Sequence, residues 1–383
     1  MRDKLSNFGN EIKKQICGLS DFMFENPELG NQEFKACEAL TKFLKENGFD
    51  VTTPAAGIAT AFSAVYDSGR PGKSVAFLCE YDALPEIGHG CGHNMIGAIG
   101  VGAGAILSKA FSESSDIGGK VYVFGTPAEE TNGGKVGMTE QGLFNEMDAV
   151  IMVHPSKITR ASGSSLAIEA LQFVYKGKTA HASGCPEEGI NALNSAIHLF
   201  TGIDALRQHV TPDVRMHGII AKGGVAANIV PDEAIAQFYL RAATKEYLAV
   251  VKEKVLNIAN AAALMTGATL TVSNYELSND DLKTNPALSE AFNNNLRSLG
   301  IEDIKAPTEP KGSSDIGNVS NVAPTIHPYI AIVPPGEELV GHSVEMAKAT
   351  TTDLAHERLL IAALASAYTG LDVLENKIAT GKE

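Results

Sequence analysis

The sequence predicts an α/β protein, a mostly parallel-sheet domain with a compact α+β domain inserted into it. Three observations carry this. Short apolar runs alternate with helical text in the first 155 residues, a βαββαβ order follows from about Ile168, and helix and strand text resumes after about Asp280. A chain of 383 residues also exceeds the size at which one core usually stops growing, so two domains are expected. The boundaries read as 1–166 with 280–383 for a discontinuous first domain, and 167–279 for the insert.

The chain opens with two amphipathic helices. The first carries Leu5, Phe8, Ile12, Ile16, Leu19 and Phe22 on one face, and the second carries Phe34, Cys37, Leu40 and Phe43. Then come the strand "KSVAFLCEYD", a helix from about Asn94 to Phe111, the strand "GKVYVFGTPAEE", a helix around Gly134 to Phe144, and the strand "MDAVIMVHP". Such alternation marks a mostly parallel sheet covered on both faces. In the insert, "LQFVYKGK", "MHGIIAKGG", "EAIAQFYLRA" and "ATLTVSNY" read as strands, with helices over "GINALNSAIHLFTGIDALRQHV" and "KEYLAVVKEKVLNIANAAALMTG". This order is the split βαβ unit of a ferredoxin-like domain. Afterwards "PALSEAFNNNLRSLG" and "TTDLAHERLLIAALASAYTGLDVL" read as helices and "NVAPTIHPYIAIV" as strand text, with a loop from about Glu302 to Asn321.

Composition narrows the function classes. A formal charge of −14 leaves no broad basic surface for phosphates, so nucleic acid and anionic membranes are not expected partners and a small molecule or protein is. The first twenty residues lack the apolar core of a signal peptide, and no run approaches eighteen apolar residues, so a soluble, cytoplasmic protein is expected. Five scattered cysteines, Cys17, Cys37, Cys79, Cys91 and Cys185, do not make a disulfide framework. Cys79, still within its strand, reads as a packed thiol.

Ligands of open α/β sheets bind outside the carboxyl ends of the strands. Three consecutive strands end in "CEYDALPEIGHGCGHN", "TPAEE" and "VHP", which bring Asp82, His89, Cys91, His93, Glu129, Glu130 and His154 to one rim. Singly, a histidine is most often a surface or structural residue and paired glutamates a solvated face. Their convergence points to divalent metal binding, because imidazole, thiolate and carboxylate together suit zinc and related ions. Glycines 88, 90 and 92 let the backbone bring Cys91 and His93 to one ion. Adjacent glutamates then divide the labour, one holding metal and the other taking a proton from water. Two alternatives stand beside this: Cys91 as a nucleophile with His93 or His89 and Asp82, and a non-catalytic metal or small-molecule binding protein on the same scaffold. Glu80, Glu86 and His89 receive no role and read as rim residues.

With "CEYDALPEIGHGCGHN", "GTPAEE" and "GGK", "VHP", "GKTAHAS" with "GINAL", "GGVAANIVPDEA", "GSSDIGNVS" and "GHS" in order along nearly the whole chain, the sequence resembles the M20 metallopeptidase and amidohydrolase family. The likeness is to its aminoacylase-like branch, subfamily D, which includes p-aminobenzoyl-glutamate hydrolase-like members. The resemblance implies a zinc-exopeptidase-like catalytic domain with a lid and dimerisation domain inserted in it. It implies two divalent ions, zinc or manganese, held by Cys91, His93, Glu130, His154 and His342, with Glu129 as general base and Asp82 orienting a ligand. From the lid, it implies that His181 reaches across a homodimer to polarise the scissile carbonyl and that Asn228 lies near substrate. Arg241 is the candidate for a substrate carboxylate, weighed evenly against an ordinary strand-end charge. The implied reaction is hydrolysis of the amide of an N-acyl amino acid or a dipeptide. One departure stands out: where many subfamily members read Cys-Gly-His-Asp with another His two residues on, this chain has Asn94 and Met95 after His93. The substrates of the hippurate and auxin-conjugate hydrolases therefore do not carry over.

Overall fold

The computed structural model describes residues 1–310 and 312–381, and these divide into two units. One comprises Met1–Ser164, Leu282–Glu309 and Asp315–Glu383; the other comprises Ser165–Asp281 with Pro310–Ser314. Segment 310–314 thus goes with the second unit, where the sequence reading keeps all of 280–383 with the first. Leu166 N–H donates to Gly312 O at 2.9 Å, and Arg241 Nη1 donates to Ser313 Oγ at 3.0 Å.

The first unit begins with α1 (Arg2–Glu25), α2 (Phe34–Glu46), β1 (Asp50–Thr52), β2 (Phe62–Asp67), β3 (Ser74–Cys79), α3 (His93–Glu113), β4 (Lys120–Gly125), α4 (Gly134–Glu140), β5 (Ala149–Ile151) and β6 (His154–Ser156). After the insert it continues with α7 (Pro286–Ser298), α8 (Ile316–Ser320), β11 (Thr325–Ile326), β12 (Tyr329–Ala331), α9 (Val344–Ala349) and α10 (Asp353–Leu374). Its sheet runs β1-β2-β4-β3-β5-β11, parallel from β4 through β11 and antiparallel at β1 and β2. The β1–β2 edge has no counterpart in the sequence reading: β1, "DVT", is too short to show a period, and β2, "FSAVYD", is passed over. The run "MDAVIMVHP" is two strands, β5 and β6, the second paired with β12 outside the main sheet. Within the expected loop 302–321 the structure has α8.

The centre of this unit is the contact of α3 with β3. β3 is buried along five of its six residues, as a strand covered on both faces must be. α3 is the helix expected from about Asn94 to Phe111; where the sequence reading finds no run approaching eighteen apolar residues, this helix is long and apolar enough to cross a membrane, but 89% of its apolar window is buried within the fold. Its glycines permit this. A Cβ at Gly100 would meet Cys79 Sγ and lie 2.7 Å from Leu78 O, so helix and strand approach closer than an alanine allows. Cys79 is fully buried in that contact.

In the second unit β7 (Ala167–Lys176), α5 (Ala192–Leu206), β8 (Arg215–Lys222), β9 (Glu233–Ala242), α6 (Lys245–Thr266) and β10 (Thr269–Asn274) form an antiparallel sheet of order β10-β7-β9-β8 with both helices against it. This is the ferredoxin-like arrangement. The alternating burial of β9 shows one face on the helices, and β8 ends the sheet with Ile219 and Ile220 exposed.

Replacement of Gly100 by alanine sets a Cβ against a backbone carbonyl that cannot rotate away. Overpacking of this kind costs on the order of 2 kcal/mol, equivalent to a fall in Tm of roughly 5 °C for a unit of this size. Thermal unfolding of Gly100→Ala checks it, and an unchanged Tm would show that α3 can lift off β3 freely.

Candidate metal centre

Just past β3 the chain remains buried through Glu80, Tyr81 and Asp82. It then turns back, and Gly92, in the left-handed region with φ +83°, starts α3. A Cβ at Gly92 would lie 2.5 Å from Pro155 Cγ and 3.0 Å from Met346 Cε, so only glycine lets Cys91 and His93 flank this close approach. Past β4, "TPAEE" forms a tight turn in which Ala128 takes a left-handed φ of +62° before Glu129 and Glu130. β6 supplies His154 at its first residue. His342, 251 residues after Cys91 (342 − 91), is brought alongside by its backbone: its N–H donates to Gly90 O at 2.8 Å.

Six side chains converge here. Potential ligand atoms of Cys91, His93 and His154 lie within 4.8 Å of one another, as do those of Cys91, Glu130 and His342, and those of His93, Glu129 and Glu130. Cys91 Sγ is 3.5 Å from His154 Nε2, and Glu130 Oε1 is 3.3 Å from His342 Nε2 and 3.9 Å from His93 Nε2. Glu130 Oε1 is buried and makes no hydrogen bond among the described residues. An orphaned carboxylate oxygen ringed by imidazole nitrogens and a thiol is the donor set and arrangement that a divalent transition ion satisfies.

Hydrogen bonds set the histidines for this. His93 Nδ1 lies 2.9 Å from Asp82 Oδ1 and 3.1 Å from Asp82 O, so Nδ1–H donates to Asp82 and Nε2 faces the cluster. His154 Nδ1–H donates to Pro155 O at 2.7 Å, which turns its Nε2 lone pair to Cys91. Burial, with His327 and His93 adding to it, drives His154 down to about 3 and keeps it neutral. Burial opposes charge on Asp82 too, but His93 and the Glu130 N–H overcome it and hold the carboxyl down to about 2. Burial pushes Glu129 up to about 8, with repulsion from Glu80 and Asp315 adding to it. Burial also pushes the Cys91 thiol up to about 11, the reverse of what a cysteine nucleophile requires.

A second layer lies behind these residues, and sequence reasoning did not find it. Lys135 is fully buried, its Nζ donating to Glu80 Oε1 at 2.5 Å and Asp315 Oδ1 at 2.7 Å, while its N–H donates to Asp315 Oδ2 at 3.0 Å. Glu80, Glu129 and Asp315 form a further carboxylate group within 4.8 Å, and Glu80 Oε2 lies 3.4 Å from His93 Nε2. Glu80 is therefore a buried partner of the centre and not a rim residue. His89 is likewise buried, because the turn folds it inward, and burial together with His93 lowers it to about 4; Glu86 is exposed. The available signals were "GGK" and "GSSDIGNVS", but a lysine and an aspartate in loop text read as surface charges.

The other three candidates belong to the second unit. His181 and Asn228 are exposed and meet on facing segments: Ala182 N–H donates to Asn228 O at 3.0 Å. His181 Nδ1 accepts from Gly184 N–H at 3.1 Å, which leaves Nε2 without a partner among the described residues. Arg241 is half-buried and bonded to Ser313. It lies at the far end of β9, eight residues past Glu233 (241 − 233), or about 26 Å at a strand's rise. The unit therefore does not bring Arg241 together with His181 and Asn228.

Residues 169–266 match the peptidase dimerisation domain of M20 enzymes. The Xaa-Arg dipeptidase of Mus musculus is 38% identical over 382 residues, which span 95% of this chain and 87% of that protein. One of the subunits of the p-aminobenzoyl-glutamate hydrolase of Escherichia coli (strain K12) is 32% identical over 277 residues, 67% of this chain and 57% of that one. In fold, the chain is similar to the Bacillus subtilis YXEP protein, described as a dinuclear metal binding peptidase from the M20 family, with a TM-score of 0.72 at 20% identity over 96% of this chain and 99% of that one. Likeness of this extent to a curated relative shows the family, and the chain belongs to the M20 family of peptidases and amidohydrolases.

Proposed function

We propose that this hydrolase holds two divalent cations on Cys91, His93, Glu130, His154 and His342, and cleaves the amide bond of dipeptides or N-acyl amino acids that carry a free carboxylate. The observation that carries the reading is the buried Glu130 Oε1, without a hydrogen bond among the described residues, set among His93, His342 and the Cys91–His154 pair with Glu129 beside it. Bound cations supply Lewis-acid polarisation of the substrate carbonyl and lower the pKa of nearby water and carboxyl groups. Glu129 takes the proton of the attacking water and passes it to the leaving nitrogen. Asp82 keeps His93 in the tautomer whose Nε2 is free to bind.

His181 of a partner copy stabilises the developing oxyanion through its free Nε2, and Asn228 lines the same side of the substrate. A homodimer through the second unit is supported by its match to a dimerisation domain and by the apolar edge of β8, where Ile219 is 61% exposed. The relative's name makes dipeptides ending in arginine the first substrates to try. Arg241 stands as the candidate for the substrate carboxylate, since a guanidinium binds one through two parallel hydrogen bonds.

Three measurements test this. Glu129→Gln should keep its metal content and lose ~10²–10⁴ in kcat; near wild-type turnover would remove Glu129 as the base. Asp82→Asn should weaken metal affinity by about 10–100-fold in a competition titration, because the amide no longer holds His93 as a carboxylate does. Chelation should abolish hydrolysis of a panel of dipeptides and N-acyl amino acids, and added zinc or manganese should restore it. Activity that survives chelation and dies with iodoacetamide would reinstate Cys91 as nucleophile.

A further inference from the structure

We propose that Glu33 is a positioning residue for the base, holding the strained turn that delivers Glu129 to the centre. This rests on the reading of Glu129 as the base. Glu33 stands at the N-cap of α2, 96 residues before Glu129 (129 − 33), and is fully buried. Its Oε1 accepts from Ala128 N–H at 2.9 Å and its Oε2 from the Thr60 hydroxyl at 2.8 Å. The Thr60 carbonyl accepts from Tyr81 OH at 2.6 Å, and Tyr81 lies between Glu80 and Asp82.

Ala128 is the residue that needs holding. Its φ of +62° lies in the left-handed region, where the Cβ of a non-glycine residue crowds the following carbonyl oxygen. On the other side of Glu129, Glu130 N–H donates to Asp82 Oδ2 at 2.9 Å. The amides flanking Glu129 in sequence are therefore each tied to a buried carboxylate, one from α2 and one from the end of β3. Gly30 brings the start of α2 close as well, since a Cβ there would meet Thr131 Oγ1 and stand 3.1 Å from Ala128 Cα. A residue that merely filled space would not need to place a carboxylate, costly to bury unless both oxygens are bonded, on the amide preceding the base.

The test uses metal-loaded protein and measures kcat, KM, metal content and amide exchange of residues 126–133. Glu33→Ala should lower kcat by about 100-fold, the scale of a misplacement near 1 Å, with KM and metal content within about twofold and faster exchange in 126–133. Combined with Ala128→Gly, which adopts the positive φ without strain, the same change should cost roughly tenfold less than it does alone. Should Glu33→Ala fail to fold, Glu33→Asp decides: one methylene shorter, it cannot reach both partners, and it should lose kcat by about tenfold at unchanged metal content. Unchanged kcat in Glu33→Asp, a loss that follows metal content, or an equal loss with Ala128→Gly would each overturn the proposal. The base reading fails separately, through an active Glu129→Gln, while the exchange measurement still reports whether Glu33 holds the turn.

Discussion

Asp82 is the residue on which the centre hangs. Its two carboxylate oxygens serve two elements: Oδ1 accepts from His93 at the first turn of α3, and Oδ2 accepts from Glu130 N–H in the turn after β4. A carboxylate this deeply buried is tolerable only when both oxygens are bonded. The need to satisfy one group thus fixes the spacing between the two loops that carry Cys91, His93, Glu129 and Glu130. The sheet adds the third piece, because β3 pairs with β5 and so sets where β6 and His154 begin.

Charge explains the layer behind. Glu80, Asp82, Glu129, Glu130 and Asp315 gather within one small region, and the lysine buried among them is Lys135. Removing one partner from a buried pair of this kind costs about 3–5 kcal/mol, since the other charge is left without compensation. Lys135 sets one positive charge against both Glu80 and Asp315, so the carboxyls here outnumber the cation, and their repulsion adds to burial in holding the proton on Glu129. A group of carboxyls that a bound cation would let ionise, next to imidazole nitrogens turned inward by their own hydrogen bonds, is the electrostatic condition of a cation site.

Much of this is legible in the sequence. Apolar runs bounded by turns located β3, β4 and the β5–β6 region, and the rule that ligands collect past strand ends directed attention to Cys91, His93, Glu129, Glu130 and His154. The reading failed where burial does not follow a simple period. Glu80, Tyr81 and Asp82 are consecutive and all buried, so no alternation marks Glu80 as an inward residue. His89 sits in a glycine-rich turn with no face to read, and Lys135 lies in a stretch where lysine normally meets water. β1 escapes for a related reason, since a three-residue strand carries too few positions to express a period, whereas β2, six residues whose burial alternates over the first four, is readable and is passed over.

By itself the sequence determined the local elements, the ferredoxin-like order of the insert and the rim on which the chemistry collects, because periodicity and turn residues act over a few positions. Only the tertiary structure decided which buried polar atoms meet. His342 reaches Cys91 through Gly90, Asp315 reaches Lys135 across 180 residues, and Glu33 reaches the amide of Ala128 across 95. Such pairings come from packing the elements and closing the chain. They follow from the requirement that a buried donor or acceptor find a partner, and no local pattern records which partner that will be.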